Sequence, residues 1–392
     1  MRRIAIVSAD RVKAARRYSI IASLFPIDFL DVKGLETAPP SAETTLVVDF
    51  LGLTEDDLRS LKSALALGCG LSICVLDQRN RKQVFQAHEF GCQKLVDRRE
   101  SLSALLATLR SVAGDYYEPN LSREFPDDIR SAVGSACRTL ATVSLSAILG
   151  RDLPVSKLTD AAKNITETIA KEGVRSWLEA AQSHHSHSYR HTLLVTGQAV
   201  SFAIDLGLSK EQQMLVALSA LVHDLGKVKI PLSILDKPGR PTEKEDAFIR
   251  RHPEFTREIL KTNTHVPKSV VDVAVWHHEM MDGTGYPDGL KGNQIPFLVR
   301  LITLADLYST LTEIRGTKSA MSPRQAIQEM ARMPGKLDSN LFKVFKKSVL
   351  DTGYGRIRRK KNCHVGAGND KQPSTHRHSC APGALRDPGK PC

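Results

Sequence analysis

The sequence has no long apolar run, few aromatic residues and no excess of acidic residues. Of its 392 residues, 41% are hydrophobic and 5% are aromatic, which is typical of a water-soluble globular chain. No stretch approaches the roughly 20 apolar residues that a membrane-spanning helix needs. The start, Met1-Arg2-Arg3, leads into an apolar run too short for a signal peptide. We therefore expect a cytoplasmic protein of two or three domains.

Cysteines are few and odd in number. Six of the seven lie in the first 115 residues or after residue 350 (Cys137 being the other), so reduced thiols are expected rather than a disulfide framework. Cys363 and Cys380 have histidines nearby, but their spacing fits no compact zinc finger and few apolar residues surround them. The sequence therefore gives little support for a structural zinc site.

Half of the net positive charge lies at the C-terminal end. Residues 351–392 contain nine Lys or Arg and three Asp, a net +6 against +12 for the whole chain. Because this segment has almost no large apolar residues, we predict a disordered basic tail. Two roles stay open for it, a solvated tail and a segment that binds nucleic acid or an anionic membrane surface.

Residues 1–115 carry short apolar runs separated by helical patterns. Such runs predict buried parallel strands in a doubly wound α/β domain. The five expected strands are Ile4–Val7, Ile27–Leu30, Leu46–Val48, Leu71–Leu76 and Lys94–Val96, and the expected helices span 12–24, 55–67, 82–90 and 101–112.

This layout resembles the receiver domain of response regulators. Asp49 then stands at the phosphoacceptor position after the third strand. Receivers also need an acidic pair after the first strand, where this chain has Ser-Ala-Asp at 8–10. They need Lys-Pro after the fifth strand, where it has Asp-Arg-Arg at 97–99. We therefore expect a receiver-like domain that is not phosphorylated.

Residues 116–183 form a predicted helical linker, with helical patterns over 127–149 and 155–181. Such a segment can be a plain spacer or can pair with the same helices of a second copy. A homodimer through this linker and contacts with signalling proteins are both compatible with the pattern.

Residues 184–350 are predicted to form an all-α helical bundle. Apolar residues recur at three- and four-residue spacing over 201–208, 211–225, 244–260, 269–277 and 297–312. Nine of the 13 histidines lie between His184 and His278. Facing helices commonly build metal sites from such side chains, and His with Asp suits a pair of transition-metal ions. Two ions side by side stabilise the attacking and leaving oxygens of a phosphoryl displacement.

Two short motifs carry this chemistry, His223-Asp224 and His277-His278-Glu279 followed by Gly-Thr-Gly-Tyr-Pro at 283–287. A lone His-Asp pair on an apolar segment is more often a buried hydrogen-bonded pair, and a Gly-Tyr-Pro run alone is usually a tight turn. The ordered occurrence of both, with further His and Asp residues, favours a metal-dependent phosphohydrolase.

The order of these motifs resembles the HD-GYP family, the metal-dependent cyclic di-GMP phosphodiesterases of bacterial signalling. The resemblance covers roughly residues 185–350. It rests on His-Asp-Leu-Gly-Lys at 223–227, Arg-His-Pro-Glu at 251–254, the His-His-Glu to Gly-Tyr-Pro stretch at 277–287, and Ala-Asp at 305–306. It implies an HD-type helical bundle that hydrolyses cyclic di-GMP to pGpG or GMP with a hydroxide held between metals.

The resemblance also assigns roles to single residues. Implied metal ligands are His191, His223, Asp224, His252, His277, His278 and Asp306, with Asp224 bridging two ions and acting in catalysis with Lys227. Lys227, Tyr286, Arg315 and Lys318 are the implied substrate contacts. The metals would be two divalent ions, iron or manganese.

Two positions depart from the family pattern. Where many members have a glutamate that helps to hold a third metal, this chain has His187, which lies four residues before His191 and so can share its helix face. His187 is thus an additional candidate ligand, and a third ion stays open. For His184 and His185, we favour solvent-exposed positions at the start of a helix over a role as metal ligands. The family's Arg-Pro-Tyr-Arg segment is Arg-Gly-Thr-Lys at 315–318, which removes a tyrosine contact.

Three functions remain after this reasoning. The first is a cyclic di-GMP phosphodiesterase in second-messenger signalling. The second is a non-catalytic sensor that binds the dinucleotide and relays it to a partner, and the altered segment 315–318 keeps it open. The third is an HD-superfamily phosphohydrolase acting on another nucleotide, which the Gly-Tyr-Pro segment disfavours.

Overall fold

The structure is a computed structural model that describes residues 4–22, 24–25, 27–37, 44–65, 72–100, 102–113, 121–184, 186–235, 239–314 and 320–351. The predicted tail beyond residue 351 and the substrate candidates Arg315 and Lys318 lie outside the described residues.

A five-stranded parallel sheet forms the N-terminal part of the chain. Its strands pair in the order β2-β1-β3-β4-β5, which is one of the two common orders of doubly wound α/β folds. The prediction of five parallel strands is confirmed. β1 and β3 are buried along their whole length, as expected for strands covered by helices on both faces. The strands are β1 Ile4–Val7, β2 Ile27–Leu30, β3 Thr45–Asp49, β4 Ser72–Leu76 and β5 Lys94–Asp97.

Six helices accompany the sheet among the residues that the structure describes. They are α1 Arg11–Arg17, α2 Ser19–Ala22, α3 Val32–Thr37, α4 Glu55–Leu65, α5 Arg81–Glu89 and α6 Leu102–Ala113. The helix predicted over 12–24 is therefore two helices, which are divided at Tyr18. Asp10 and Asn80 begin α1 and α5, because each side chain accepts hydrogen bonds from two amides of the following turn.

Within the described part of the chain after residue 121, there are twelve further helices. They are α7 Asp127–Ile148, α8 Val155–Glu172, α9 Val174–Gln182, α10 His187–Asp205, α11 Lys210–Val222, α12 Leu232–Leu235, α13 Glu243–Ile249, α14 His252–Lys261, α15 Lys268–Trp276, α16 Phe297–Thr312, α17 Pro323–Ala331 and α18 Ser339–Asp351. Short 3₁₀ turns follow α11 at Leu225–Lys229 and precede α16 at Gly292–Gln294. None of the described helices combines the length and apolarity needed to cross a lipid bilayer.

Two predicted helices are each broken in the structure. The helix predicted over 155–181 ends before Gly173, whose φ of 80° no continuous helix allows. The helix predicted over 244–260 is divided between Ile249 and His252, where the Nδ1 atom of His252 lies 2.8 Å from the Ile249 carbonyl oxygen. His252 is therefore the first residue of α14 and not a residue inside a longer helix.

The helices α7, α8 and α9 share a hydrophobic core with α10, α11 and α15. The division of the chain at residue 184 stays a prediction. A dimer through the linker also stays a prediction, although the apolar faces of these helices are buried within the chain. Trp177 of α9 donates from its indole nitrogen to the Leu193 carbonyl at 2.8 Å. A Cβ atom on Gly197 would lie 2.2 Å from the Trp177 ring, so the glycine permits this close packing of α9 on α10.

A second core forms between α10 and the helices α16 to α18. The helix α10 therefore has neighbours on two sides and lies at the centre of the bundle. Because its side chains contact both cores, α10 gives a rigid base for the functional residue that it carries, His191.

Candidate metal centre

All seven predicted metal ligands converge on one buried point of the helical bundle. They come from the inside or the ends of five helices: His191 from α10, His223 and Asp224 after α11, His252 from α14, His277 and His278 after α15, and Asp306 from α16. Their ligand atoms form two groups, each within 4.8 Å. One group is Asp224, His252, His277 and His278, and the other is His191, His223 and Asp306.

The carboxylate of Asp224 lies between the two groups. Its Oδ1 atom is 3.2 Å from Nε2 of His252 and 3.7 Å from Nε2 of His277. Its Oδ2 atom is 3.3 Å from Nε2 of His223 and 3.7 Å from Nε2 of His191. Each oxygen thus faces the histidines of one group, which is the arrangement of a carboxylate that bridges two cations.

Three of the histidines are oriented by backbone carbonyl groups. The Nδ1 atoms of His223, His252 and His277 lie 2.7, 2.8 and 3.2 Å from the carbonyl oxygens of Ala220, Ile249 and Val273. An Nδ1–H that donates to a carbonyl leaves the lone pair on Nε2, the atom that faces Asp224. The fold therefore selects the tautomer that binds a metal.

Two acidic residues contact His191: Asp306 of α16, and Glu313, which follows the end of that helix. Its Nε2 atom is 3.0 Å from Oδ1 of Asp306, and its Nδ1 atom is 3.4 Å from Oε2 of Glu313. Glu313 is fully buried and also accepts a hydrogen bond of 2.9 Å from Nε of Arg190. Nothing in the motif analysis indicated Glu313, although its spacing of seven residues from Asp306 places both on one face of the helix.

A close approach between the His-Asp turn and α14 explains the glycine three residues after His223. The amide of Gly226 donates to Thr256 Oγ1 at 2.8 Å. A Cβ atom on Gly226 would lie 1.9 Å from the His252 carbonyl oxygen. Only glycine allows this contact, which holds Asp224 and His252 side by side.

The loop after His278 is fixed by a buried carboxylate. Glu279 accepts hydrogen bonds from the amides of Asp288, Gly289 and Leu290 at 2.7 to 3.0 Å. This loop places Tyr286 against His278, with ring centroids 4.7 Å apart and an interplanar angle of 24°. The Arg250 guanidinium lies 5.3 Å from the centre of the Tyr286 ring, which adds a positive charge at the rim.

Burial keeps three of the histidines neutral. It lowers the pKa of His252 to about 3 and that of His278 to about 4, and it lowers the pKa of His277 well below its usual value. Neutral imidazoles are the form that coordinates a metal. These side chains are therefore ready to bind a cation at neutral pH.

The two acidic ligands are ionised in spite of their burial. Burial raises the pKa of Asp224, but the charges of Lys227 and His223 outweigh it and hold that pKa well below its usual range. The Nζ atom of Lys227 lies 2.5 Å from Oδ2 of Asp224. For Asp306, the hydrogen bond with His191 likewise outweighs burial and lowers the pKa. Two buried carboxylates thus supply negative charge for cations.

His191 differs from the other histidines in its charge. Burial lowers its pKa, but the neighbouring carboxylates of Asp306 and Glu313 outweigh burial and raise the pKa to about 9. A metal ion that binds at Nε2 would therefore displace a proton near neutral pH.

Three buried polar atoms of the centre lack a hydrogen-bond partner among the described residues: Nε2 of His223, Oδ1 of Asp224, and Nδ1 of His191, which lies 3.4 Å from Oε2 of Glu313. Leaving such atoms unsatisfied costs about 1–3 kcal/mol each, so they indicate a place for a ligand. Imidazole nitrogens and carboxylate oxygens in this number suit iron, manganese or zinc. The residues thus fit a pair of transition-metal ions, and the number and identity of the ions remain predictions.

The remaining predicted residues have different outcomes. The side chain of His187 lies outside the described residues, as do His185, Arg315 and Lys318. His184 was expected to be exposed to solvent, and this prediction is wrong. Its side chain is buried, its Nδ1 accepts a hydrogen bond of 3.1 Å from the Ser186 amide, and its ring packs on Tyr189.

Asp49 lies in the α/β part, at the end of β3. Its Oδ2 atom accepts hydrogen bonds from the Tyr18 hydroxyl at 2.8 Å and from Arg17 at 3.3 Å. Its Oδ1 atom accepts one from the Leu51 amide at 3.0 Å. Both oxygens are therefore already engaged with groups of the chain itself.

The helical part of the chain is similar to proteins of a known family. Residues 176–341 match the family model described as HD domain. A cyclic di-GMP phosphodiesterase of Pseudomonas aeruginosa is 32% identical over 227 residues, which are 57% of this chain and 55% of that protein. A cyclic di-GMP phosphodiesterase response regulator of Xanthomonas campestris is 38% identical over 137 residues, 34% of this chain and 36% of that protein. A 3′3′-cGAMP-specific phosphodiesterase of Vibrio cholerae is 32% identical over 198 residues, 50% of this chain and 45% of that protein.

These similarities span about half, or less, of the length of each relative. The matched region contains every residue of the two ligand groups. The chain therefore contains a region that matches an HD domain, and part of its length is homologous to proteins named as cyclic di-GMP phosphodiesterases.

Proposed function

We propose that the chain is a metal-dependent phosphodiesterase that hydrolyses cyclic di-GMP to pGpG or GMP. The observation that carries this proposal is the position of the Asp224 carboxylate, with one oxygen toward His252 and His277 and the other toward His223 and His191. The names of the relatives support the dinucleotide as substrate.

The ligands fall into two sets that share Asp224. His252, His277 and His278 would hold one ion, and His191, His223 and Asp306 would hold the other. Two ions held in this way supply a nucleophilic water near neutral pH and neutralise charge on the phosphoryl oxygens.

Lys227 would act on the substrate phosphate. Its Nζ atom contacts Asp224, and its side chain is 21% exposed, so the ammonium group lies at the boundary between the buried ligands and solvent. A cation at this point can stabilise the negative charge that develops on a phosphoryl oxygen. The ammonium group can also hold the phosphate in line with the departing 3′ oxygen.

Tyr286 would complete the substrate-binding side. The ring stacks on His278 and lies under the Arg250 guanidinium, at the rim of the centre. A nucleobase could stack on this aromatic and cationic surface, while the arginine attracts phosphate. Arg315 and Lys318 remain proposed contacts of the same substrate.

The test is turnover of cyclic di-GMP by protein purified without oxygen and supplied with manganese or ferrous iron, with products separated by chromatography. We expect metal-dependent pGpG or GMP that is absent with Asp224→Ala. Tight dinucleotide binding without product, in protein with a filled metal site, would favour a sensor instead.

A cyclic GMP-AMP dinucleotide is a second candidate substrate, because one relative is specific for 3′3′-cGAMP. The same assay with both dinucleotides measures the preference. A kcat/KM for 3′3′-cGAMP above that for cyclic di-GMP would reassign the substrate while leaving the phosphodiesterase chemistry intact.

A further inference from the structure

His191 is oriented differently from His223, His252 and His277. Those three lie at helix ends, where a carbonyl of the adjoining turn faces Nδ1. His191 lies inside α10, where the backbone carbonyls are engaged by the helix itself. Its Nδ1 atom faces a carboxylate instead, Oε2 of Glu313 at 3.4 Å.

Glu313 is itself held in place. Its side chain has no exposed surface, and its Oε1 atom accepts a hydrogen bond of 2.9 Å from Nε of Arg190. Arg190 also donates to the carbonyl oxygens of His184 and Ile314, at 3.1 and 3.0 Å. The arginine therefore joins the start of α10 to the end of α16 and fixes the carboxylate beside the histidine ring.

We propose that Glu313 is a positioning residue for the metal centre: its carboxylate, 3.4 Å from Nδ1 of His191, keeps a proton on that atom and thereby leaves the Nε2 lone pair for the ion shared with His223 and Asp306. A carboxylate behind a metal-binding imidazole fixes the ring and makes it a stronger electron donor than a carbonyl does. The proposal deepens the proposed function, because it concerns one of the two ions assumed there.

The experiment measures metal binding to the full chain, stripped of metal and titrated with Mn²⁺ in competition with a chelator. Glu313→Gln keeps the size of the side chain but removes its charge. We expect it to weaken the binding of one ion about 10- to 100-fold and to leave the other ion unchanged. The absorption spectrum of the Co²⁺-loaded protein should change as well, since the geometry around one ion changes.

Asp338→Asn is the matched control. Asp338 also accepts from an arginine, Arg300 at 2.5 Å, and is mostly buried in the same bundle, but it contacts none of the seven ligands. Both variants should lower the melting temperature of the metal-free protein, and only Glu313→Gln should lower metal affinity. Equal metal affinity in Glu313→Gln and the unmodified chain would overturn the proposal, and so would an equal loss in Asp338→Asn.

A second variant covers the case in which Glu313→Gln does not fold because Arg190 is left without its partner. Arg190→Met combined with Glu313→Leu removes both charges, a change that buried ion pairs often tolerate. The double variant should fold and lose affinity for one ion, and unchanged affinity would contradict the proposal. A chain that binds both ions without hydrolysing cyclic di-GMP would refute only the proposed function, because metal affinity is read without turnover.

Discussion

Two parts of this molecule bury an aspartate, and the two aspartates differ in how their oxygens are satisfied. At the end of β3, Asp49 has both oxygens engaged, by Tyr18, Arg17 and the Leu51 amide. In the helical bundle, Oδ1 of Asp224 and Nε2 of His223 have no hydrogen-bond partner among the described residues.

We interpret the difference as that between a structural aspartate and the proposed metal ligand. Asp49 has the contacts of a side chain that holds the fold together, although the sequence predicts it at the position of a phosphoacceptor. Lys227 compensates the charge of Asp224. The Oδ1 atom of Asp224 and Nε2 of His223 nevertheless have no hydrogen-bond partner among the described residues. A buried polar atom without a partner is costly, so such atoms indicate where an additional group binds.

The largest expected effect is on turnover. Asp224→Ala removes the carboxylate shared by both ligand groups, so we expect no measurable hydrolysis and loss of bound metal, with the helical fold retained in circular dichroism. Asp49→Ala is the matched aspartate change in the other region and should leave kcat unchanged. Unfolding of Asp224→Ala would show that Asp224 is mainly structural and would break the distinction.

The next effect concerns the cation beside Asp224. Lys227→Met should lower kcat/KM about 10²- to 10³-fold, because the charge that stabilises the phosphoryl oxygens is lost. Metal content, measured on the same samples, should stay at its original level.

The control for Lys227→Met is the same substitution at Lys229, two residues away. Lys229 forms an exposed ion pair with Glu258 and contacts no ligand, so Lys229→Met should alter kcat/KM by less than about twofold. Equal losses in the two variants would show that general positive charge, rather than the position of Lys227, matters.

A pH effect follows from the raised pKa of His191. The folded, metal-free chain is stabilised by protonated His191 below pH 6.5, and this contribution is lost as pH rises through about 9. Binding of Mn²⁺ should therefore release about one proton per chain at pH 7, and fewer as the pH passes 9.

Calorimetry in buffers of different ionisation enthalpy measures that proton release. His191→Gln removes the titrating group and should abolish most of it. Release that is absent at pH 7 in the unmodified chain would show that His191 is neutral before metal binds.

The smallest effect is on stability. Asp49→Asn weakens the contacts with Tyr18 and Arg17, so we expect a loss of about 1–3 kcal/mol in the free energy of unfolding of the α/β part. Chemical denaturation measures this loss. Acetyl phosphate followed by intact-mass analysis should give no phosphoryl adduct, and an adduct that disappears in Asp49→Ala would overturn the structural role of Asp49.

Much of the fold could be predicted from local pattern. The strands β1 and β3 are predictable because each is a short, mostly apolar run, and such runs indicate burial on both faces of a parallel sheet. Helix breaks were missed at Gly173 and before His252. Apolar spacing continues across both breaks, whereas the structure has a positive φ at Gly173 in one case and a local contact between Nδ1 of His252 and the Ile249 carbonyl oxygen in the other.

The site could be predicted as a set of residues but not as an arrangement. The order of the motifs identifies the histidines and aspartates of the site, but it cannot show that the two oxygens of Asp224 face different groups of ligands. Glu313 was missed because its contact with His191 joins residues more than 100 positions apart and belongs to no local motif. The burial of His184 has a different cause: its ring packs against Tyr189, five residues later, and the polar residues around His184 do not indicate that contact.

The most direct test of the account is anomalous diffraction from crystals grown with Mn²⁺ or Fe²⁺ under anaerobic conditions. We predict two peaks about 3.5 to 4 Å apart. One should lie among His252, His277 and His278, the other among His191, His223 and Asp306, with Asp224 touching both. Two results would contradict the assignment of these residues as metal ligands. One is the absence of any peak beside Asp224, and the other is a single peak that lies near only one of the two ligand groups.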